Sequence, residues 1–251
     1  MRRLVVWTAA ALIAAAAGAA GAAEQTVSYQ SGAESVSGLL VTPEGKGPFP
    51  AVVVIHEWWG LDAWVKDQAR ALAKEGYVAL AVDLYRGHAT DKQEEAHQLM
   101  SGMPQDRATR DLKGAFAYLK SRKDVRGGRI GSIGWCMGGK FSLLLATEEP
   151  TLAAAVAYYG APPTDGAAIA RIKAPVLGNY GAEDKGPSPE QVTAFEAALE
   201  KAGKTIDAKI YPGAGHAFAN PNNPWKGYRE EAAKDAWART TAFLAKYLKK
   251  A

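Results

Sequence analysis

Ile130-Gly131-Ser132-Ile133-Gly134-Trp135-Cys136-Met137-Gly138-Gly139 carries the only cysteine of a 251-residue chain. Residues 130–133 read as a buried strand, and the glycines beyond them as a tight turn into a helix. In a Gly-x-Nuc-x-Gly turn the central residue is held in a strained corner. Flanking glycines let the neighbouring backbone pack without side chains in the way. The helix that follows points its N-terminus at the sulfur, which favours a thiolate. The competing reading is a buried structural cysteine, since free cysteine often behaves as a small core hydrophobe.

Outward from this turn, short apolar runs alternate with amphipathic ones. Ala51-Val52-Val53-Val54-Ile55 is a continuous apolar run of the kind buried on both faces of a parallel sheet. Further strands are expected over 36–42, 77–82, 153–158, 175–179 and 205–211. Helices are expected from Asp62 through Ala73, within 86–103, over 105–120, after Cys136, and over 189–201 and 228–249. This alternation predicts an α/β fold, a mostly parallel central sheet with helices on both faces. Residues 24–251 read as one domain, with no internal repeat.

Composition excludes several function classes. Basic residues number 30 and acidic residues 26, a formal charge of +4. No block of five or six like charges occurs, so neither nucleic acid nor a membrane surface is an expected partner. The N-terminus reads as an export signal: Met1-Arg2-Arg3, an apolar run over 4–17, then the small residues Ala20-Gly21-Ala22-Ala23. Residues 1–23 are therefore expected to be removed, leaving a periplasmic or secreted chain that starts near Glu24 with a charge of +2. An uncleaved anchor is the alternative, made weaker by the Ala and Gly content. In an oxidising compartment a lone cysteine has no intramolecular partner. It is buried, paired between chains or kept for its reactivity.

A thiol nucleophile needs a base, and the base needs an orienting group. Four histidines are available. His216, in Gly213-Ala214-Gly215-His216-Ala217-Phe218, follows the last expected strand, and His56 ends another. Loops after the strands of a parallel sheet are where ligands bind. His88 and His97 lie in a polar segment and read as surface residues. Glu183 or Asp184, after the 175–179 strand, can supply the acid, although an Asp beside Gly and Pro is also a common turn residue. The order Cys136, Asp184, His216 matches the nucleophile–acid–histidine order of α/β-hydrolases. A zinc site of the type His-Glu-x-x-His fails, because Gly60 stands where the second histidine is needed. No metal or cofactor is called for.

The chain resembles the dienelactone hydrolases in four motifs spread over most of the sequence from Val36 onward. They are His56-Glu57-Trp58-Trp59-Gly60, Asp83-Leu84-Tyr85, Gly134-Trp135-Cys136-Met137-Gly138-Gly139 and Gly215-His216-Ala217-Phe218. The resemblance implies Cys136 as nucleophile, His216 as base, Asp184 as its orienting acid, and Glu57 as a carboxylate that tunes the thiol. Backbone N–H groups of Met137 and Trp58 would form the oxyanion hole. Trp59, Tyr85, Arg86, Trp135, Phe218 and Asn220 are the expected substrate-facing positions, with core packing the alternative for Trp59 and Trp135.

Two departures bear on the substrate. Family members acting on acidic lactones carry an arginine in the pattern His-x-Phe-x-Arg, where this chain has Asn220. A second arginine, two residues after the tyrosine, is replaced by Gly87, with Arg86 one position earlier. Without a guanidinium fork the strongest carboxylate clamp is gone. The expected activity is hydrolysis of a small ester or lactone, less acidic than dienelactone, through a thioester. A non-catalytic scaffold that binds a small molecule is the alternative. Oligomeric state is not readable.

Overall fold

The computed structural model describes residues 22–250, so the expected signal segment lies almost wholly outside the described residues. Eight strands form one sheet: β1 (Ala23–Ser31), β2 (Glu34–Thr42), β3 (Phe49–Ile55), β4 (Val78–Val82), β5 (Val125–Trp135), β6 (Ala154–Tyr158), β7 (Val176–Gly181) and β8 (Ile206–Tyr211). Their order is β1-β2-β4-β3-β5-β6-β7-β8. β1 pairs antiparallel with β2, and β2 antiparallel with β4, while all pairs from β4 to β8 are parallel. This is the α/β-hydrolase architecture, with helices on both sides.

Alternation along the strands builds the two core layers. In β3, Ala51, Val53 and Ile55 face one layer, with Leu112, Phe116 and Leu119 of α3 (Gln105–Ser121) and Phe141 of α4 (Met137–Glu148). Val52 and Val54 face the other, with Trp64, Val65 and Leu72 of α1 (Ala63–Lys74) and Phe243 and Leu244 of α7 (Glu230–Leu244). Each fully buried side chain of this size contributes roughly 1.5–3 kcal/mol. Asp62 caps α1 by accepting from the Val65 N–H at 2.9 Å. The remaining helices are α2 (Gln93–Ser101), α5 (Gly166–Arg171) and α6 (Pro189–Lys201).

Two elements lie outside the expectation. β1 is an edge strand whose first four residues are exposed, so its sequence lacks a run of buried apolar residues. It starts at Ala23, the boundary at which cleavage was expected. α5 has six residues, too short for a helical period to register. The terminal helix also divides, α7 being followed by a π-turn over Ala245–Lys249.

The β3 strand is flanked by β4 on one side and β5 on the other, and the chain leaves these two edges toward opposite faces. Such a switch point opens a crevice at the carboxyl ends of the strands. Five strands end there in loops that carry polar or reactive side chains: Glu57 after β3, Cys136 after β5, Tyr159 after β6, Asp184 after β7 and His216 after β8.

Candidate active site

Cys136 sits between β5 and α4 with φ 54° and ψ −117°. Its N–H donates to the Tyr158 carbonyl at 3.0 Å, and its carbonyl accepts from Lys140 N–H at 3.1 Å, which locks the turn on both sides. Close approach explains the glycines. A Cβ on Gly134 would lie 2.0 Å from the Gly138 carbonyl oxygen, and one on Gly138 would lie 2.2 Å from that of Ile55. Tyr159 and Ala217 also have positive φ, 39° and 58°. Such conformations cost about 1–3 kcal/mol each and gather where a fold holds side chains for chemistry.

The sulfur of Cys136 lies 3.1 Å from His216 Nε2, and His216 Nδ1 lies 2.8 Å from Asp184 Oδ2. Asp184 is 5 % exposed, and its second oxygen accepts from the Gly186 N–H at 2.9 Å, so the carboxylate is fixed in place. Burial works to push His216 down. The hydrogen bonds to Asp184 and to the sulfur outweigh it and hold the imidazolium up to about 10. The neighbouring Glu183 is exposed and outside this chain of contacts.

Neither the Met137 nor the Trp58 backbone N–H makes a hydrogen bond to another described group. Met137 opens α4, so its N–H has no intrahelical acceptor. Both amides are thus free to donate, and that of Met137 directly follows the cysteine in the chain. Trp58 packs at 4.9 Å from Trp59 and 5.5 Å from Trp225, and Trp225 stands 6.5 Å from His216.

Glu57 is 2 % exposed and accepts from Asn220 Nδ2 at 2.7 Å. Its other oxygen has no hydrogen-bond partner among the described residues. Burial pushes the Glu57 carboxyl up to about 7; the Asn220 amide offsets this only in part. His56 is a core residue. Its Nε2 accepts from the Leu84 N–H at 3.2 Å, so Nδ1 carries the proton and donates to the Glu57 carbonyl. Complete burial lowers it to about 4, leaving it neutral. His88 and His97 are exposed, as their polar segment predicts.

A cavity of about 250 Å³ contains Cys136 and His216, walled by Met100, Met103, Phe141, Tyr159 and Lys140. A larger one of about 830 Å³ lies beyond Trp59 and Asn220 and touches neither reactive atom. The smaller cavity is the candidate site, because it alone holds the thiol.

Several expected substrate-facing residues stand elsewhere. Trp135, the last residue of β5, alternates onto the opposite sheet face and packs on Trp64 at 5.2 Å and Tyr158 at 5.5 Å, 1 % exposed. Phe218 is fully buried between Tyr159 and Tyr211, a support for the Tyr159 ring rather than a cavity wall. Arg86 is drawn away by the buried Asp111, with contacts of 2.7 and 3.1 Å, and by Glu34. A buried carboxylate needs such a partner, and Arg86 supplies it. Tyr85 lies beneath the elbow, its hydroxyl 3.2 Å from Met137 Sδ. Trp59 and Asn220 line the larger cavity. Tyr159, Trp225 and Met103 come to the site without having been expected there. Only Tyr159 carried a usable signal, its place directly after a strand.

Comparison with known proteins agrees with this fold. The dienelactone hydrolase family profile matches residues 36–248. A candidate carboxymethylenebutenolidase of Methylorubrum extorquens is 36% identical over 219 residues, covering 82% of this chain and 75% of its own. The crystal structure of a candidate dienelactone hydrolase from Klebsiella pneumoniae has 32% identity and a TM-score of 0.82, covering 91% and 100% of the two chains. A dienelactone hydrolase-like promiscuous phosphotriesterase from metagenomic libraries has 26% identity and a TM-score of 0.83, covering 91% and 99%. With its fold, its elbow and its match over most of its length, the chain belongs to the dienelactone hydrolase family of hydrolases.

Proposed function

We propose that this protein hydrolyses a small ester or lactone through a thioester on Cys136. The observation that carries the reading is the contact chain from sulfur to imidazole to carboxylate, 3.1 and 2.8 Å long, opening into a cavity lined by Met137, whose backbone N–H is free. The Cys136 thiolate attacks the carbonyl carbon, and the Met137 and Trp58 amides hold the oxyanion. The C–O bond breaks as His216 gives its proton to the leaving alkoxide. Water, losing a proton to His216, then attacks the thioester and releases the acid and the thiolate. Asp184 keeps the imidazole in the tautomer and orientation both steps need. No step uses a metal or cofactor.

The test is a panel of activated esters and lactones, with quenched reactions read by intact mass. The expected result is product release with a single acyl group on Cys136, removable by hydroxylamine. Acylation at another residue, or no turnover with a thiol that resists iodoacetamide at neutral pH, sinks the reading and leaves a binding scaffold.

The same proposal makes the protein exported, on the basic, apolar and small-residue pattern of residues 1–23. Expressed in a bacterium with its full sequence, the protein should lose 22 or 23 residues and be recovered outside the cytoplasm. Recovery of the intact chain from the cytoplasm overturns export without touching the chemistry.

A further inference from the structure

The cavity around Cys136 has one cation on its wall besides His216. Lys140 lies one turn along α4 from the sulfur, and no Asp or Glu lines the cavity with it. Its side chain is exposed, its ammonium lies 5.9 Å from the centre of the Phe141 ring, and among the described residues it forms no ion pair. Arg86 is held by Asp111 and Glu34, and Arg107 donates to the Leu84 carbonyl at 3.0 Å. The lysines beyond Asn220, Lys66 and Lys92, line the larger cavity and not this one. The rest of the wall is largely apolar, with Met100, Met103 and Phe141 beside the polar Gln105.

We propose that Lys140 is the specificity-determining residue of this site, recognising a carboxylate that the ester or lactone carries across a short apolar spacer. This rests on the ester or lactone reading above and names its substrate class. An anion in this cavity meets one unpaired ammonium and no opposing carboxylate, while its apolar body is taken from water by the methionines and Phe141. A lysine is a flexible point charge and fits a range of spacer lengths, where a guanidinium fork demands one geometry. Loss of the two arginine positions therefore moves the anion's anchor to another wall of the cavity and keeps acidic substrates within reach.

Two readouts test this independently. In the first, Cys136 is alkylated by 3-maleimidopropanoate and by N-propylmaleimide, which differ in charge at the end of a short spacer and need no turnover. Lys140→Met should lower the ratio of their rates about tenfold, the effect of losing one charged hydrogen bond. Lys140→Arg should restore the ratio, and Lys92→Met, a control in the larger cavity, should leave it alone. In the second, kcat/KM is compared for phenyl hydrogen glutarate against phenyl pentanoate, and for 4-carboxyphenyl acetate against phenyl acetate. The preference for the carboxylate ester should fall by a similar factor in Lys140→Met, through KM, and in wild type should weaken with added salt. An unchanged alkylation ratio in Lys140→Met overturns the proposal. A changed ratio in a protein that hydrolyses no ester keeps Lys140 as anion anchor and overturns the hydrolase reading instead.

Discussion

Cys136→Ala is expected to abolish ester hydrolysis, lowering kcat by a factor on the order of 10^5 or more, the scale seen when a nucleophile is removed from a preorganised triad. The fold survives, because alanine occupies the same positive-φ corner and leaves the Tyr158 and Lys140 backbone bonds in place. His216→Ala belongs with it and falls nearly as far. The double variant falls no further than either alone, since the two groups act as a unit. Asp184→Asn retains the 2.8 Å geometry yet loses roughly 10^4 in kcat, because an amide no longer enforces the imidazole tautomer. Rates of each variant, with thermal unfolding as a control for folding, decide the matter. A Cys136→Ala enzyme with a tenth of wild-type activity would remove the thiol from the mechanism.

Much of this arrangement is legible in the sequence. The elbow was readable because its geometry leaves almost no freedom of sequence: the close contacts at Gly134 and Gly138 admit no Cβ. Parallel strands deliver their loops to one edge, so position after a strand narrowed the acid to Glu183 or Asp184 and the base to His216 or His56, and the nucleophile–acid–histidine order with the family resemblance pointed to Asp184 and His216. That rule works for backbone and fails for side-chain direction. Trp135 adjoins the nucleophile in sequence, yet strand alternation sends its ring through the sheet to the Trp64 layer. Arg86 sits in a motif loop, yet the buried carboxylate of Asp111, 25 residues on, decides where its guanidinium goes. Both placements have one source. A residue's neighbours across the fold carry the deciding energy, and single-sequence patterns are blind to them. The edge strand β1 was missed for a related reason, since exposed residues leave no periodic trace.

Glu57→Gln should make the protein more stable at pH 8 and remove part of the pH dependence of its stability. Glu57 is buried and forms no ion pair among the described residues: Asn220 donates to one oxygen, and the other has no hydrogen-bond partner there. Burial therefore raises the carboxyl to about 7 in the folded protein, against 4.5 for the ordinary group. Between these values the folded state holds a proton that the unfolded chain has released, so stability falls as pH rises through this window. Once pH exceeds about 7 the full penalty is present, about 3 kcal/mol for a shift of this size. A glutamine keeps the Asn220 contact and the volume but carries no charge to bury. Its unpaired N–H groups return some of the gain, at about 1–3 kcal/mol. The decisive observable is thus the difference between variant and wild type as a function of pH, not its value at one pH. That difference should shift in favour of the variant by roughly 6–12 °C in Tm between pH 4.5 and 8, at about 2–4 °C per kcal/mol for a chain of this size. His216, raised to about 10, also weakens the fold with rising pH, but over a higher window and in both proteins, so it largely cancels in the difference. A flat difference across the range means that Glu57 is already ionised at pH 4.5 or stays neutral at pH 8. Either outcome removes the buried carboxyl as a group that titrates beside the thiol at neutral pH.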